Sequence, residues 1–218
     1  MKPIIICFID DSDFEHDLVR HEIAPQAEGM TFLQTTTFEE AVEGLGEQQP
    51  ALFLLDLWGQ DPDVTHPEIT PREELEETAA RIPDLESVFH GLDTFSGDST
   101  NEYLKRLFRI VDGWRTLFEG ACARIGQNRK YGLRNLRLAR ERYPEAAAVF
   151  YTRKSLISDA VAMFRAGCEG LFIKPTGRDD EETRRLTRDW APELIAELSR
   201  ILQTPRSGGI AFPFRPEG

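Results

Sequence analysis

The chain has 218 residues, 40% of them hydrophobic and 29% charged, which is typical of a globular protein with one ordinary domain and a large insertion, or with two small domains. Its formal net charge of −12 argues against a nucleic-acid-binding function, because such a surface needs basic groups to displace counterions. No apolar run approaches the length of a membrane span or a signal-peptide core. Cys7, Cys122 and Cys168 form no C-x-x-C pair, so we expect reduced thiols in a cytoplasmic protein without membrane association.

Short apolar runs that are interrupted by helical patterns divide most of the chain. The predicted strands cover residues 4–9, 30–35, 51–57, 147–152 and 168–175. The predicted helices follow them, beginning near residue 12 and covering 38–45, 131–143, 156–167 and 181–202. Strands that alternate with helices and are apolar throughout predict a parallel sheet covered on both faces. Ligands of such sheets bind beyond the carboxyl ends of the strands.

The segment 60–130 has no strand pattern and is predicted to be helical. Residues 70–73, Thr-Pro-Arg-Glu, fit a capping box, and Pro83 is expected to begin a second short helix. A long helix over 99–125 carries apolar residues at alternating steps of three and four. They are Leu104, Leu107, Val111, Trp114, Phe118, Ala121 and Ile125. This heptad stripe indicates either packing within the insertion or the seam of a homodimer.

Polar residues stand at the ends of four predicted strands. Asp10 and Asp11 follow the first, Asp56 lies at the end of the third, Thr152 ends the fourth, and Lys174 lies at the end of the fifth. Three carboxylates at one edge of a sheet repel one another, and a hard divalent cation together with a lysine relieves that repulsion. The set is typical of a site that handles phosphate, in which Asp56 can attack a phosphoryl group and form an acyl phosphate.

With these residues in this order, the chain resembles the receiver domains of two-component response regulators. The resemblance covers residues 1–59 and 131–203, and leaves 60–130 as an insertion after the phosphoacceptor strand and 204–218 as a C-terminal tail. It implies an α/β, flavodoxin-like (βα)5 fold, with a parallel five-stranded sheet in the order 2-1-3-4-5 and an all-helical insertion.

The resemblance also implies roles for these residues. Asp10, Asp11, Asp56 and the carbonyl of Trp58 would hold Mg²⁺ or Mn²⁺. Asp56 would be the phosphoacceptor for a phosphohistidine on a sensor histidine kinase or a histidine phosphotransfer protein of a bacterial phosphorelay. Lys174 would contact the phosphoryl oxygens, and Thr152 would hydrogen-bond them and shift its strand. Pro175, after the lysine, is the candidate for a cis peptide bond.

Three positions depart from the family pattern. Arg153 follows Thr152 where a small residue is usual, and could crowd or shield an acyl phosphate. Leu171 occupies the place of the usual switch aromatic, so we expect Phe172 to face the core. The bulky Trp58, two residues after Asp56, is expected to hinder attack of water on the acyl phosphate and to prolong its life.

We therefore expect a stand-alone response regulator that signals by protein–protein contact and has no activity beyond its own phosphorylation and dephosphorylation. Only about fifteen residues follow the last predicted helix, and the sequence does not identify the downstream target. A degenerate receiver that serves as an interaction scaffold through its insertion is the first alternative. The second is a phosphatase similar to haloacid dehalogenases, in which Asp11 and Asp13 would form the D-x-D motif.

Overall fold

The computed structural model describes residues 3–61, 63–153 and 157–204, without the side chains of residues 157 and 158. The chain forms two compact units. One unit combines the residues up to 60 with those from 129 onwards, and the other comprises 61–128. Most of the predicted C-terminal tail, from residue 205 onwards, lies outside the described residues. None of the described helices is long and apolar enough to span a membrane.

The first unit is built on a five-stranded sheet. Its strands are β1 Ile4–Ile9, β2 Met30–Thr35, β3 Leu52–Leu55, β4 Ala147–Thr152 and β5 Gly170–Ile173. Their order is β2-β1-β3-β4-β5, and every neighbouring pair is parallel. This topology confirms the predicted flavodoxin-like fold, and it places the carboxyl ends of all five strands at one edge of the sheet.

The helices connect the strands of the first unit and form the second unit. In chain order they are α1 Asp13–Leu18, α2 Phe38–Leu45, α3 Arg72–Ala79, α4 Glu86–Phe89, α5 Ser99–Arg124, α6 Lys130–Arg142, α7 Ile157–Arg165 and α8 Asp180–Gln203. After α1 the chain continues as a π-helical turn, Val19–Ile23, and a 3-10 turn, Ala24–Gln26. Side chains of Ser12, Thr37 and Asp179 accept hydrogen bonds from backbone N–H groups in the first turns of α1, α2 and α8, and so cap them.

Both faces of the sheet are buried because apolar residues alternate along each strand between two helical layers. On one face, residues of β1, β3 and β4 pack against α8 and the π-helical turn, with Leu194 and Leu198 fully buried. On the opposite face, Phe53 contacts Phe38 of α2 and Tyr143 beyond the end of α6. The three cysteines are buried thiols, as expected from their spacing.

The second unit contains α3, α4 and α5, which confirms a helical insertion, but the unit is not all-helical, because Gln127–Asn128 form a short strand. Asp98 caps α5 by accepting a hydrogen bond from the N–H of Asn101. The expected capping box at residues 70–73 was wrong: α3 begins at Arg72, and its N-cap is Pro71, whose side chain has no acceptor. The ends of the unit are tied together by Asp61, whose N–H donates to the carbonyl of Gly126 at 2.7 Å and whose carboxylate accepts from the Asn128 amide at 2.9 Å.

Candidate functional site

The carboxyl edge of the sheet brings together the polar residues that the sequence places after its strands. The parallel hydrogen bonding continues past the strand ends, since Asp56 N donates to the carbonyl of Ile9 at 2.9 Å and Lys174 N donates to that of Thr152 at 3.0 Å. Asp10, Asp56, Thr152 and Lys174 therefore lie side by side on four adjacent parallel segments. This convergence is the one expected for a parallel sheet.

Three carboxylates form a compact cluster at this edge. Asp10, Asp11 and Asp56 each offer an oxygen atom within 4.8 Å of the other two. Asp10 and Asp56 are buried, whereas Asp11 is half-buried. Backbone N–H groups hold two of the carboxylates in place: Ser12 donates to Asp10 Oδ1 at 3.0 Å, and Gln60 donates to Asp11 Oδ2 at 2.9 Å. The side chains are thus oriented before any ligand binds.

Lys174 lies among these acids with only 3% of its surface exposed. Its Nζ donates to Asp10 Oδ2 at 2.5 Å and lies 3.3 Å from Asp56 Oδ1 and 3.6 Å from Glu15 Oε2. Burial disfavours the charged lysine, but the carboxylates of Asp56, Asp10 and Glu15 outweigh burial and raise the pKa of Lys174 above its ordinary value. The lysine is therefore a fixed positive charge beside the proposed phosphoacceptor.

The acids are not fully compensated by this single cation. Burial, together with the charge of Asp56, raises the pKa of Asp10 to about 7 against the opposing attraction of Lys174. Burial likewise raises the pKa of Asp56, although Lys174 and a hydrogen bond from the Thr152 hydroxyl oppose the shift. Both directions indicate that the site favours additional positive charge, because a second cation would stabilise the ionised forms.

A hard divalent cation fits this donor set. The ligands are carboxylate oxygens, which Mg²⁺ and Mn²⁺ prefer. Asp56 Oδ1 is buried and accepts no hydrogen bond of good geometry; its near neighbour is the Lys174 ammonium at 3.3 Å, so this oxygen can accept a cation while it keeps its ionic contact with the lysine. Trp58, whose carbonyl is the fourth predicted ligand, follows in the segment after Asp56 and is 8% exposed; its role as a ligand stays a prediction.

Thr152 ends β4, and Arg153 follows it directly. Thr152 is buried, and its hydroxyl hydrogen-bonds the Asp56 carboxylate, so a change at that carboxylate acts directly on the end of β4. Arg153 is engaged elsewhere: its Nε donates to Glu15 Oε1 at 2.6 Å and its Nη1 donates to the carbonyl of Pro175 at 3.0 Å. The guanidinium is thus held at the rim of the site by a carboxylate.

Glu15 and His16 also belong to the site, although no motif in the sequence predicted a role for them there. Glu15 is buried on α1 between Arg153 and Lys174, with its Oε2 unpaired by any hydrogen bond. His16 is also buried, and its Nε2 lies 2.8 Å from the carbonyl oxygen of Asp10. The signal available in the sequence was the position of both residues one turn after the acidic pair, on the helix face that points to the sheet.

Two glycines allow the first turn of α6 to approach the end of β3. The N–H of Gly132 donates to the carbonyl of Leu57 at 3.0 Å, and a Cβ at residue 132 would lie 2.4 Å from the carbonyl oxygen of Asp56. A Cβ at Gly59 would lie 2.5 Å from the ring of Tyr131, which covers this segment. Close packing here fixes the backbone that carries Asp56.

Two expectations around β5 had opposite outcomes. The described residues contain no cis peptide bond, so the expected cis bond before Pro175 was wrong. An X–Pro bond favours trans unless its surroundings select cis, and here the trans form places the Pro175 carbonyl on Arg153. Phe172 packs on the core, with its ring centroid 6.3 Å from that of Trp190, as expected; Leu171 is half-buried.

No protein-family model matches the chain, and no curated protein matches it in sequence. Solved structures of response-regulator receiver domains are similar to it in fold. The response regulator domain of CheB from Thermotoga maritima is 14% identical, with a TM-score of 0.48 over 94% of this chain and 99% of that one. The CheY-like receiver domain protein from Methanospirillum hungatei JF-1 is 13% identical, with a TM-score of 0.45 over 91% and 96%. The chemotaxis protein CheY4 from Vibrio cholerae is 12% identical, with a TM-score of 0.45 over 91% and 98%. At such identities the likeness concerns the fold alone.

Proposed function

We propose that this protein is a phosphoacceptor response regulator in which Asp56 accepts a phosphoryl group from a phosphohistidine of a partner protein. The observation that supports the proposal is the surroundings of the Asp56 carboxylate. It lies 3.3 Å from the Lys174 ammonium, hydrogen-bonds the Thr152 hydroxyl, and shares a pocket with Asp10 and Asp11. A nucleophile, a fixed cation, a hydroxyl donor and an acidic cation site are the components that phosphoryl transfer requires.

In the proposed reaction, an oxygen of Asp56 forms a bond to phosphorus while the bond from phosphorus to the histidine nitrogen breaks. The nitrogen leaves with the bonding electrons, and the product is an acyl phosphate on Asp56. Lys174 neutralises charge on the transferring oxygens because its ammonium is already beside the carboxylate. Asp10, Asp11 and Asp56 would hold Mg²⁺ or Mn²⁺, which supplies further neutralisation of phosphoryl charge when bound.

Thr152 is the residue through which phosphorylation would change the fold. Its hydroxyl contacts Asp56 in the unphosphorylated chain, and phosphorylation would offer it a stronger acceptor that carries more charge. Because Thr152 ends β4, its movement would shift that strand and the residues after it. The response is then a shift between two packings that the added charge biases.

The proposal is tested by adding Mg²⁺ and then beryllofluoride, a mimic of the phosphoryl group, while recording tryptophan fluorescence. Trp58 lies two residues from Asp56, and we expect each addition to change its emission. Asp56→Asn should abolish the effect of the mimic, whereas Asp13→Asn, which changes an exposed acid outside the cluster, should leave it intact. Trp58→Phe shows which part of the signal comes from this tryptophan.

Fluorescence, labelling by acetyl phosphate and turnover of phosphate esters together separate the alternatives. A scaffold without phosphoacceptor chemistry predicts no fluorescence response and no labelling by acetyl phosphate. A phosphatase predicts steady turnover of phosphate esters that depends on Asp11. For the proposed regulator we expect one hydroxylamine-labile phosphoryl group per chain, which is lost in Asp56→Asn and persists for minutes or longer because Trp58 hinders water. Loss within seconds would contradict the role given to Trp58.

A further inference from the structure

A second ion pair lies next to Lys174 and has no part in the proposed phosphoryl transfer. It joins Glu15, in the first turn of α1, to Arg153, which follows the last residue of β4. The Arg153 Nε donates to Glu15 Oε1 at 2.6 Å. Only 6% of the glutamate side chain and 24% of the arginine side chain are exposed. The cost of desolvating a buried ion pair offsets much of its attraction, so stability alone does not explain this one.

Glu15 lies between two cations. Its Oε1 accepts from Arg153, and its Oε2 lies 3.6 Å from the Lys174 ammonium. That ammonium in turn lies 3.3 Å from Asp56 Oδ1. Arg153 is therefore one carboxylate away from the lysine that contacts Asp56. It is also one residue away from Thr152, whose hydroxyl hydrogen-bonds the Asp56 carboxylate. These two connections place the guanidinium at the rim of the site.

The guanidinium of Arg153 has one nitrogen that is not used. Its Nη1 donates to the carbonyl of Pro175 and to the Thr176 hydroxyl, both at 3.0 Å. Its Nη2 is buried and makes no hydrogen bond with any of the described residues. A buried N–H donor without an acceptor costs free energy, because it has lost water without gaining a partner. This nitrogen is therefore suited to an acceptor that arrives with a ligand.

A single hydrogen bond joins Glu15 to Arg153. An arginine and a carboxylate commonly form two parallel bonds, and a second bond here would use Nη2 of the arginine and Oε2 of the glutamate. Neither atom makes a hydrogen bond within the described part of the chain, although Oε2 keeps its ionic contact with Lys174. The pair is thus weaker than a bidentate pair, and a stronger acceptor can take the guanidinium from the carboxylate.

A phosphoryl group on Asp56 would be such an acceptor. A phosphoryl group on a side chain carries roughly two negative charges and three acceptor oxygens. Lys174 alone cannot satisfy these oxygens, because its three N–H donors already face three carboxylates. A guanidinium matches the geometry of phosphate oxygens with a rigid fork of N–H groups, which an ammonium does not offer. The site therefore has a use for the second cation only once Asp56 is phosphorylated.

We propose that Arg153 is a second phosphoryl-binding cation of this site, which Glu15 holds at the rim until Asp56 is phosphorylated. The phosphoryl group then competes with Glu15 for the guanidinium, and the Arg153 Nη2 donates to a phosphoryl oxygen. Glu15 is a positioning residue, because it acts through Arg153 and does not touch the phosphoryl group. The inference rests on the proposed phosphoacceptor function, and it concerns how tightly the site holds the phosphoryl group.

Titration with beryllofluoride at saturating Mg²⁺, followed by tryptophan fluorescence, tests the proposal. Arg153→Gln removes the guanidinium, and we expect its dissociation constant for the mimic to be about tenfold higher than that of the parent. Glu15→Gln should lower this constant several-fold, because the guanidinium is no longer held at the rim. In the double variant most of that gain should disappear, since the effect of Glu15 depends on Arg153.

The Mg²⁺ titration that precedes the mimic separates phosphoryl binding from structural damage. Loss of a cation beside the acids should leave the Mg²⁺ dissociation constant of Arg153→Gln unchanged or lower it, although the mimic binds more weakly. Arg184→Gln is the matched control. The Arg184 guanidinium also packs on the Phe14 ring, 5.2 Å from its centroid, where that of Arg153 lies 5.9 Å away. Its ion pair is with Asp17, so we expect parental affinities for Mg²⁺ and for the mimic.

The outcomes distinguish this inference from the proposed function. A parent chain that does not respond to the mimic overturns both. A parent that responds, together with an Arg153→Gln variant of equal affinity, overturns the inference alone. The inference also fails when Arg153→Gln binds Mg²⁺ and the mimic more weakly to the same degree, because the residue is then structural. An equal gain from Glu15→Gln with and without Arg153 would assign the effect to Lys174 and overturn the role of Arg153.

Discussion

Replacing Gly132 with alanine is expected to displace the backbone that carries Asp56. The new Cβ would lie 2.4 Å from the Asp56 carbonyl oxygen, 2.6 Å from Leu57 Cα and 2.8 Å from the Leu57 carbonyl oxygen. Real Cβ contacts are essentially never shorter than 3.0 Å, and no side-chain rotation relieves a clash with backbone atoms. Either α6 or the end of β3 must therefore move.

The magnitude follows from two opposing effects. Overpacking costs about 1–3 kcal/mol, and loss of the bond from Gly132 N to the Leu57 carbonyl costs about 1 kcal/mol more. Alanine regains about 1 kcal/mol through its helix propensity. We expect a net loss of about 2 kcal/mol in the free energy of unfolding, together with a weaker response to Mg²⁺ and beryllofluoride.

Urea unfolding followed by circular dichroism measures the loss in free energy of unfolding. Tryptophan fluorescence measures the weaker response to Mg²⁺ and beryllofluoride. Gly120→Ala is the matched control, because a Cβ at this helical position of α5 meets no atom within 4 Å, and the variant should be as stable as the parent or about 1 kcal/mol more stable. If Gly132→Ala unfolds at the parental urea concentration and still responds fully to the mimic, the close approach of α6 to β3 is not needed for the site.

Three further predictions concern the charges of the site. Because folding raises the pKa of Asp10 to about 7, the folded chain binds a proton that the unfolded chain releases. Without divalent cation, the free energy of unfolding should therefore fall as pH rises from 4 to 7. Urea titrations in which this free energy rises, or in which Asp10→Asn shows the same pH slope, would contradict the prediction. Lys174→Met removes the cation from three carboxylates and should lower the free energy of unfolding by about 3–5 kcal/mol at pH 8 and by less at pH 5. In the same urea titration, Lys105→Met, which changes an exposed lysine, should leave this free energy nearly unchanged. Glu15→Gln removes a carboxylate that competes for Lys174, and it also frees Arg153 from its ion pair. Phosphorylation by the anionic donor acetyl phosphate should therefore be several-fold faster than in the parent. An unchanged rate would show that Glu15 does not influence phosphorylation.

The strands and their polar ends could be predicted from sequence because each depends on neighbouring residues. An apolar run such as 147–152 supplies side chains to both faces of a buried strand, and its last residue lies at the carboxyl end of the sheet. The topology then follows from right-handed crossovers, which bring Asp56 and Lys174 to one edge although more than a hundred residues separate them.

The arrangement of Glu15 and Arg153 could not be predicted in this way. The two residues are 138 positions apart, and their ion pair depends on the distance between the first turn of α1 and the end of β4. No periodicity records that distance. The start of α3 was misplaced for a related reason: residues 70–73 match the letters of a capping box, but the backbone enters the helix only after Pro71.

Asp61 has a consequence for the order of folding. Strands β3 and β4 are neighbours in the sheet, yet Leu52 and its partner Ala147 are more than ninety residues apart in sequence. Without the second unit, 61–128, the separation would be roughly a quarter of that. Closing so long a loop costs about 1 kcal/mol more than closing the short one. If the second unit folds first, the bonds of Asp61 to Gly126 and Asn128 bring the ends of that unit together. Part of the entropy cost of closing the loop is then met before β3 and β4 pair. Asp61→Ala keeps the backbone bond to Gly126 but loses the side-chain bond to Asn128, so it should refold more slowly in stopped-flow experiments, whereas Asp63→Ala should refold at the parental rate. The Asp61 side chain would then influence how fast the strand that carries Asp56 meets its neighbour.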